Sequence, residues 1–462
     1  MKHAHAAAFA ELSMKEAPVI RVAPPGPKSR ELLDYQGQHE SSAISYPKGM
    51  PMAIRRGRGA TIEDVDGNVY IDMFGGAGVM AVGHAHPDVL KAAHAQIDEA
   101  THTLDIPTDA RKEMVSVLRE ILPSQLTRLF FGGPTGSDAV EQALKLAKYN
   151  TGRHEVIAFH GAYHGMTGAA LALTTDRGHR EGMGPLVPGI RFIPYDYSYR
   201  SPFGGPAEET DLRAADYLEM VLSDSHSGFA KPAAVILESV QGEGGTIIPS
   251  PRFLRRIREI TQAHDVLLIC DEIQAGLGRT GKMFAFEHAG PEFVPDIITM
   301  SKALGGLGFP ISAIAYREEL NTWPPGATIG TFRGNMIAYA AGAAALRFMK
   351  EKDVPGYAAE LGKQMLDELK KLEKETSIVG EARGIGLMFG IEMVRDQKTK
   401  EPAADLARKV RKYAHQRGVM IEVGGHHNNV ARLLPPLIIP EALAMRGVEI
   451  IEQVIRDVEK EM

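Results

Sequence analysis

The chain has 462 residues, 44% hydrophobic and 24% charged, with 52 basic and 58 acidic residues for a net charge of −6. That length exceeds one ordinary core and implies at least two lobes of a globular protein. The mild acidity gives no reason to expect nucleic acid or an anionic membrane as a partner, and no run approaches the ~18 apolar residues that span a bilayer.

Cys270 is the single cysteine, so an intramolecular disulfide is excluded and a reducing, cytoplasmic compartment is expected. Within Val266–Cys270 it reads as a small core residue rather than a nucleophile. The amino terminus begins with a positive charge, but its apolar stretch is short and Glu11 interrupts it, so no secretory signal is expected.

Residues 1–34 read as an amino-terminal arm, with a loop at Pro24-Pro25-Gly26-Pro27. Residues 59–73 predict a β-hairpin, two alternating runs about the turn residues Asp66-Gly67-Asn68. From 129 to 300, short apolar runs (129–131, 155–159, 234–237, 266–270, 297–300) alternate with helical patterns such as 137–149 and 251–263. Continuous rather than alternating apolarity implies strands covered on both faces, hence a mostly parallel sheet flanked by helices. Beyond it, helical patterns at 356–376, 403–417 and 440–461 surround short strands at 385–394, 419–423 and 430–434. The fold class is α/β. A large domain is expected at 76–345, and a smaller α+β domain from 35–75 and 346–462.

The chemistry-bearing residues sit at strand ends. Phe131-Gly132-Gly133-Pro134-Thr135-Gly136-Ser137 is a strand end and a Gly-rich turn opening a helix, whose start is placed by the capping-box spacing of Asp138 and Glu141. The N–H groups of Gly136 and Ser137, with the Ser137 hydroxyl, suit a phosphate dianion at the positive helix end. Taken alone, such a Gly-rich turn before a helix is more often just a turn. After the run 155–159, Tyr163 is a candidate to stack on a planar ring, with His164 beside it, or simply a packed loop tyrosine. His160 and His164 lack accompanying cysteines or carboxylates, so no metal site is expected. Glu238 follows another strand and Glu243 lies in the next Gly-rich loop, where the carboxyl edge of a sheet favours a site over solvated carboxylates.

Asp271 and Gln274 follow the run 266–270, and Lys302 stands 31 residues after Asp271, just past the run 297–300. An aspartate and a lysine at such strand ends are what pyridoxal phosphate (PLP) needs. The lysine amine condenses with the aldehyde and later serves as a general base, and the aspartate keeps the ring nitrogen protonated. Arg432 is a planar, permanently charged fork suited to a carboxylate, or else to a structural ion pair.

From about Tyr35 onward the chain resembles the class III (ω-type) aminotransferases of PLP fold type I, above all in residues 271–281 and 295–302. The resemblance implies Lys302 as the attachment lysine and Asp271 as the partner of the ring nitrogen. It puts Gln274 on the ring-hydroxyl side, Gly136 and Ser137 on the phosphate, Tyr163 on the ring, and Glu238 behind Asp271 and Gln274. Thr331, in Gly330-Thr331-Phe332-Arg333-Gly334-Asn335, matches a threonine donated to the neighbouring subunit's phosphate site, which implies a homodimer with composite active sites. Arg432 and Glu243 match a carboxylate-binding arginine and the glutamate that pairs with it when an amine end is bound.

Within the class, residues 39–47, 53–59, 136–143 and 330–335 resemble the L-2,4-diaminobutyrate:2-oxoglutarate 4-aminotransferases. The implied reaction is ping-pong transfer from a terminal amine to 2-oxoglutarate or pyruvate. Phe74–Met80, which would line the substrate entrance, departs from that subfamily. Phe74 and Met80 suggest an apolar mouth suited to longer ω-amino acids or simple amines. A PLP-dependent racemase or epimerase of the same fold is a second reading, suggested by residues 162–165 and 195–202, but it has no use for a Glu243/Arg432 switch. A non-catalytic PLP-fold binding protein is a third, at odds with an intact Lys302 and Asp271.

Overall fold

The computed structural model describes residues 9–462; residues 1–8, the charged start of the expected arm, lie outside the described residues. The chain forms two compact units, Asp88–Phe348 and Met1–Pro87 with Met349–Met462.

In the second of these units β1 (Ile54–Arg58), β2 (Thr61–Asp64) and β3 (Val69–Asp72) pair antiparallel. The expected turn is held by Asp64, whose Oδ1 accepts from the backbone N–H of Asp66 and Asn68 at 2.9 and 2.8 Å. Residues 9–22 of the expected arm are seated on this unit. Phe9 is buried edge-on to the Tyr357 ring, Ser13 Oγ accepts from the Ala60 N–H, and Val19 bridges to Val69. Residues 76–87, expected in the larger domain, also count here, because Gly59 bridges His84 and the Leu437 N–H donates to the Ala81 carbonyl at 2.8 Å.

The Asp88–Phe348 unit carries β4 (Arg128–Phe131), β5 (Val156–Phe159), β6 (Ile190–Ile193), β7 (Ala234–Glu238), β8 (Leu267–Asp271), β9 (Ile297–Met300) and β10 (Ala313–Tyr316). They form one sheet in the order β4-β10-β9-β8-β7-β5-β6. Every neighbour pair is parallel except those of β10, which runs antiparallel between β4 and β9. β5, β7 and β9 are buried at every position, as their continuous apolarity requires. The Gly136–Thr151 helix packs an Ala-rich face (Ala139, Ala143, Ala147) into the core with Ile236, Ile269 and Ile314. It ends at Gly152, whose φ of +65° places the C-cap in the left-handed region that glycine tolerates. A buried bidentate pair, Arg258 to Asp296 at 2.7 and 2.9 Å, ties the Pro251–Ala263 helix to the residue that opens β9.

The carboxyl-terminal part adds β11 (Val379–Ile385), β12 (Met388–Met393), β13 (Val419–Met420), β14 (Glu422–Gly424) and β15 (Val430–Leu433). β13 joins β3 in parallel, completing a β1-β2-β3-β13 sheet, while β11-β12-β15-β14 form a second sheet. Residues 385–394, expected as one strand, are the end of β11, a turn and β12. The helices Val354–Glu375, Ala404–Gln416 and Glu441–Lys460 lie where periodicity puts them. No helix among the described residues is long and apolar enough to cross a membrane.

Candidate active site

Five strands of the large sheet deliver side chains to one pocket. Gly136 and Ser137 follow β4, Tyr163 and His164 follow β5, and Glu238 closes β7 with Glu243 just beyond. Asp271 closes β8 with Gln274 behind it, and Lys302 follows β9. Parallel strands end on the same edge, so residues far apart in sequence converge there.

Asp271 is buried, and three groups hold its carboxylate. Its Oδ2 lies 2.7 Å from His164 Nδ1; its Oδ1 accepts from the Thr299 hydroxyl at 2.9 Å and the Ile273 N–H at 3.1 Å. Burial by itself would favour a neutral His164, but the Asp271 hydrogen bond and charge, with Glu238 nearby, outweigh it and raise the imidazole pKa. Glu238 accepts from the Tyr163 N–H at 3.0 Å and the Gly242 N–H at 2.8 Å, tying two pocket loops together. Burial above all pushes its carboxyl up to about 7, with the Asp271 charge adding and His164 opposing. Gln274 Nε2 reaches Glu243 Oε1 at 3.4 Å.

Lys302 opens a 3₁₀ turn, Lys302–Gly305, with φ +47°. A left-handed lysine is uncommon, and strain of this kind concentrates where a side chain must be aimed. At the other wall, the helix start differs from the expected one. Thr135 is the N-cap and Asp138 its N3 partner, with Asp138 Oδ2 accepting from the Thr135 N–H and hydroxyl at 2.9 and 2.8 Å. Glu141 instead accepts from the Thr167 hydroxyl and the Ala169 and Ala170 N–H groups, so its negative charge serves the start of the next helix, Gly168–Leu173. The first-turn N–H groups of Gly136 and Ser137 have no acceptor within the helix. Ser137 Oγ accepts from the Met166 N–H at 3.2 Å. That close approach needs Gly165, where a Cβ would stand 2.0 Å from Ser137 Oγ.

Four expected residues are not among those that line the pocket. Thr331 is exposed and outside the pocket, its carbonyl 3.0 Å from His102 Nε2. Arg432 is buried on β15, opposite Gly390 and Glu422 in register. Phe74 and Met80 belong to a segment tied to the chain just after Arg432, since the Leu434 N–H donates to the Met73 carbonyl at 2.7 Å. Phe74 packs partly against Met50, Met52, Tyr70 and Met420. Thr299 went unmarked in the sequence, although a lone hydroxyl inside Ile297-Ile298-Thr299-Met300 was the available signal.

A mostly parallel sheet whose strand ends bring a carboxylate, an amine and a helix start into one pocket forms the strand-edge site at which α/β enzymes bind their ligands. The chain belongs to the class-III aminotransferases, whose family model matches residues 44–455. It is 42% identical over 422 residues to a diaminobutyrate–2-oxoglutarate aminotransferase of Rhizobium meliloti (strain 1021), covering 89% of each chain. A protein of the same name from Haemophilus influenzae is 42% identical over 414 residues, covering 88% of this chain and 90% of the relative. Among solved structures, an amine transaminase from an uncultivated Pseudomonas species in a PLP-bound form superposes with a TM-score of 0.83 at 27% identity, covering 90% of this chain and 97% of the other. The architecture is PLP fold type I.

Proposed function

We propose that this aminotransferase uses PLP to move the 4-amino group of L-2,4-diaminobutyrate to 2-oxoglutarate. The observation that carries the reading is the gathering of Lys302, Asp271 and the start of the Gly136–Thr151 helix in one pocket. The similarity to relatives named for that reaction, over nearly their full length, supports the substrate pair. The donor set suits the cofactor: a triply engaged carboxylate for a protonated ring nitrogen, an amine for an aldehyde, and open first-turn N–H groups for a phosphate.

When bound, PLP supplies an electron-withdrawing ring that stabilises negative charge at a carbon losing its proton. The chain's residues do the rest. Gly136 and Ser137 would hold the phosphate, Tyr163 would lie against the ring, and Gln274 would serve its hydroxyl side. Asp271, oriented by His164, would keep the ring nitrogen protonated. Glu238 fixes the Tyr163 and Gly242 backbones. Lys302, whose side chain lines the pocket, would be the residue that holds the aldehyde group, and its amine would serve as the base that takes the proton from the amine-bearing carbon of the substrate. By the family resemblance, Arg432 would take the substrate carboxylate, Glu243 would be its partner in the other half-reaction, and Phe74 and Met80 would line the entrance. Both half-reactions use the same residues, so the first product leaves before the acceptor binds.

The reading includes a homodimer in which Thr331 completes the partner's phosphate site. An exposed apolar patch supports it: Ile329 and Phe332 are 86% and 69% exposed, and the Phe332 ring lies against His102, near Leu104 and Ile106 in sequence.

The test uses L-2,4-diaminobutyrate labelled with ¹⁵N at the 4-position and 2-oxoglutarate as acceptor. Labelled glutamate is the expected product. Unlabelled glutamate would mean transfer of the 2-amino group. Deuterium exchange at Cα without glutamate would mean a racemase.

A further inference from the structure

Asp271 closes β8 and Thr299 stands opposite it in register on β9, three residues ahead of Lys302. Thr299 is fully buried, and a buried hydroxyl needs a partner. It donates to Asp271 Oδ1 at 2.9 Å. A carboxylate offers about four acceptor sites, two on each oxygen. On Oδ1 both are taken, by Thr299 and by the Ile273 N–H at 3.1 Å; on Oδ2 one is taken, by His164 Nδ1 at 2.7 Å. Among the described residues one site remains unfilled, on Oδ2, and Asp271 lines the pocket.

We propose that Thr299 is a positioning residue: by filling the second site of Oδ1 it leaves the open site of Oδ2 as the one Asp271 presents to a protonated ring nitrogen. The inference rests on the PLP reading. Without the hydroxyl, two sites on different oxygens compete for that nitrogen and one edge of the carboxylate loses its anchor. The methyl group of threonine packs in an apolar strand, so Thr299→Val keeps the shape and removes only the donor, while Thr299→Ser keeps the donor.

The experiment is a binding titration of the full-length apoenzyme with two probes, PLP and its deaza analogue carrying C–H in place of the ring nitrogen. Wild type prefers PLP. Thr299→Val loses on the order of tenfold of that preference, the scale of one charge-assisted hydrogen bond, with affinity for the deaza analogue kept. Thr299→Ser retains the preference. Should the valine variant fail to fold, Thr299→Ala removes the same donor and carries the same expectation. An undiminished preference in Val or Ala, an equal loss for both probes, or no rescue by Ser overturns the assignment. A wild type that does not bind PLP, or binds both probes alike, overturns the cofactor reading itself and this inference with it.

Discussion

Gly165 offers a sharp test of the phosphate wall. Its φ is +126°, where an L side chain is strained, and a Cβ would meet Ser137 Oγ at 2.0 Å and Ser137 Cβ at 2.8 Å. Gly165→Ala therefore combines two costs: backbone strain of about 1–3 kcal/mol and overpacking of about 1–3 kcal/mol. Gly290 isolates the first, since its φ is +109° with nothing within 4 Å of the position a Cβ would take. Gly290→Ala should destabilise by the strain alone, and Gly165→Ala by about 2–6 kcal/mol in equilibrium urea unfolding of the apoprotein. Relief of the clash must push Ser137 off its place at the helix start. The loss of one charge-assisted bond, about 1.5–3 kcal/mol, should weaken PLP binding by roughly ten- to a hundredfold in Gly165→Ala only. If Gly165→Ala is no less stable than Gly290→Ala, or binds PLP with full affinity, the close approach of Gly165 to Ser137 does not shape a phosphate site.

Lys302→Ala should abolish labelled glutamate formation while PLP still binds reversibly, as followed by dialysis and absorbance. Arg432→Gln should chiefly raise the KM for 2-oxoglutarate, and steady-state kinetics with saturating donor reads that directly. Phe332→Asp should shift the protein to monomers in sedimentation analysis and lower activity with them. Burial, above all, pushes the carboxyls of Glu238 and Glu272 up to about 7. A carboxylate pKa raised in the fold gives stability that is complete below the unfolded value of ~4.3 and is lost as pH rises through about 7. The unfolding free energy of the apoprotein in urea should therefore fall between about pH 5 and 7, by up to ~1.4 kcal/mol per pH unit for each group, and level off above. Glu272→Gln should flatten that slope whatever constant offset it adds.

Most of the strands that were legible in the sequence are buried on both faces, β4 being the exception. Ala234-Val235-Ile236-Leu237 and Ile297-Ile298-Thr299-Met300 carry no solvent face to interrupt the apolar run. β6 escaped because it is an edge strand whose Arg191 is exposed. β10 escaped because it returns antiparallel after a short connection, without the crossover helix that marks the other strands. The expected strand 385–394 ran through the turn Gly386-Leu387, where Gly386 has φ +54°, and left most of β11 unread. In the pocket, residue type and place at a strand end were enough to mark Lys302, Asp271, Glu238 and Gln274. The partner of each was not legible: that His164 meets Asp271, that Thr299 stands opposite it, and that Glu141 serves the next helix depend on register and on loop paths.

Register also explains why adjacent carboxylates do unlike work. Successive side chains of a strand alternate faces, so Asp271 and Glu272 point apart as β8 ends. Asp271 enters the pocket. Glu272 turns into the protein, where its Oε1 accepts from the Ser239 hydroxyl at 2.6 Å and the Phe286 N–H at 3.0 Å, and its Oε2 from the Ala285 N–H at 2.6 Å. The Glu272 N–H still donates to the Thr299 carbonyl at 3.1 Å, so the β8–β9 ladder runs one residue past the strand end. That last bond fixes which of the two carboxylates faces the ligand. A slip of one residue between β8 and β9 would present Cys270 or Glu272 in place of Asp271, and would take Thr299 away from the oxygen it occupies. The chemistry of the site thus depends on the same hydrogen-bond ladder that holds the sheet together.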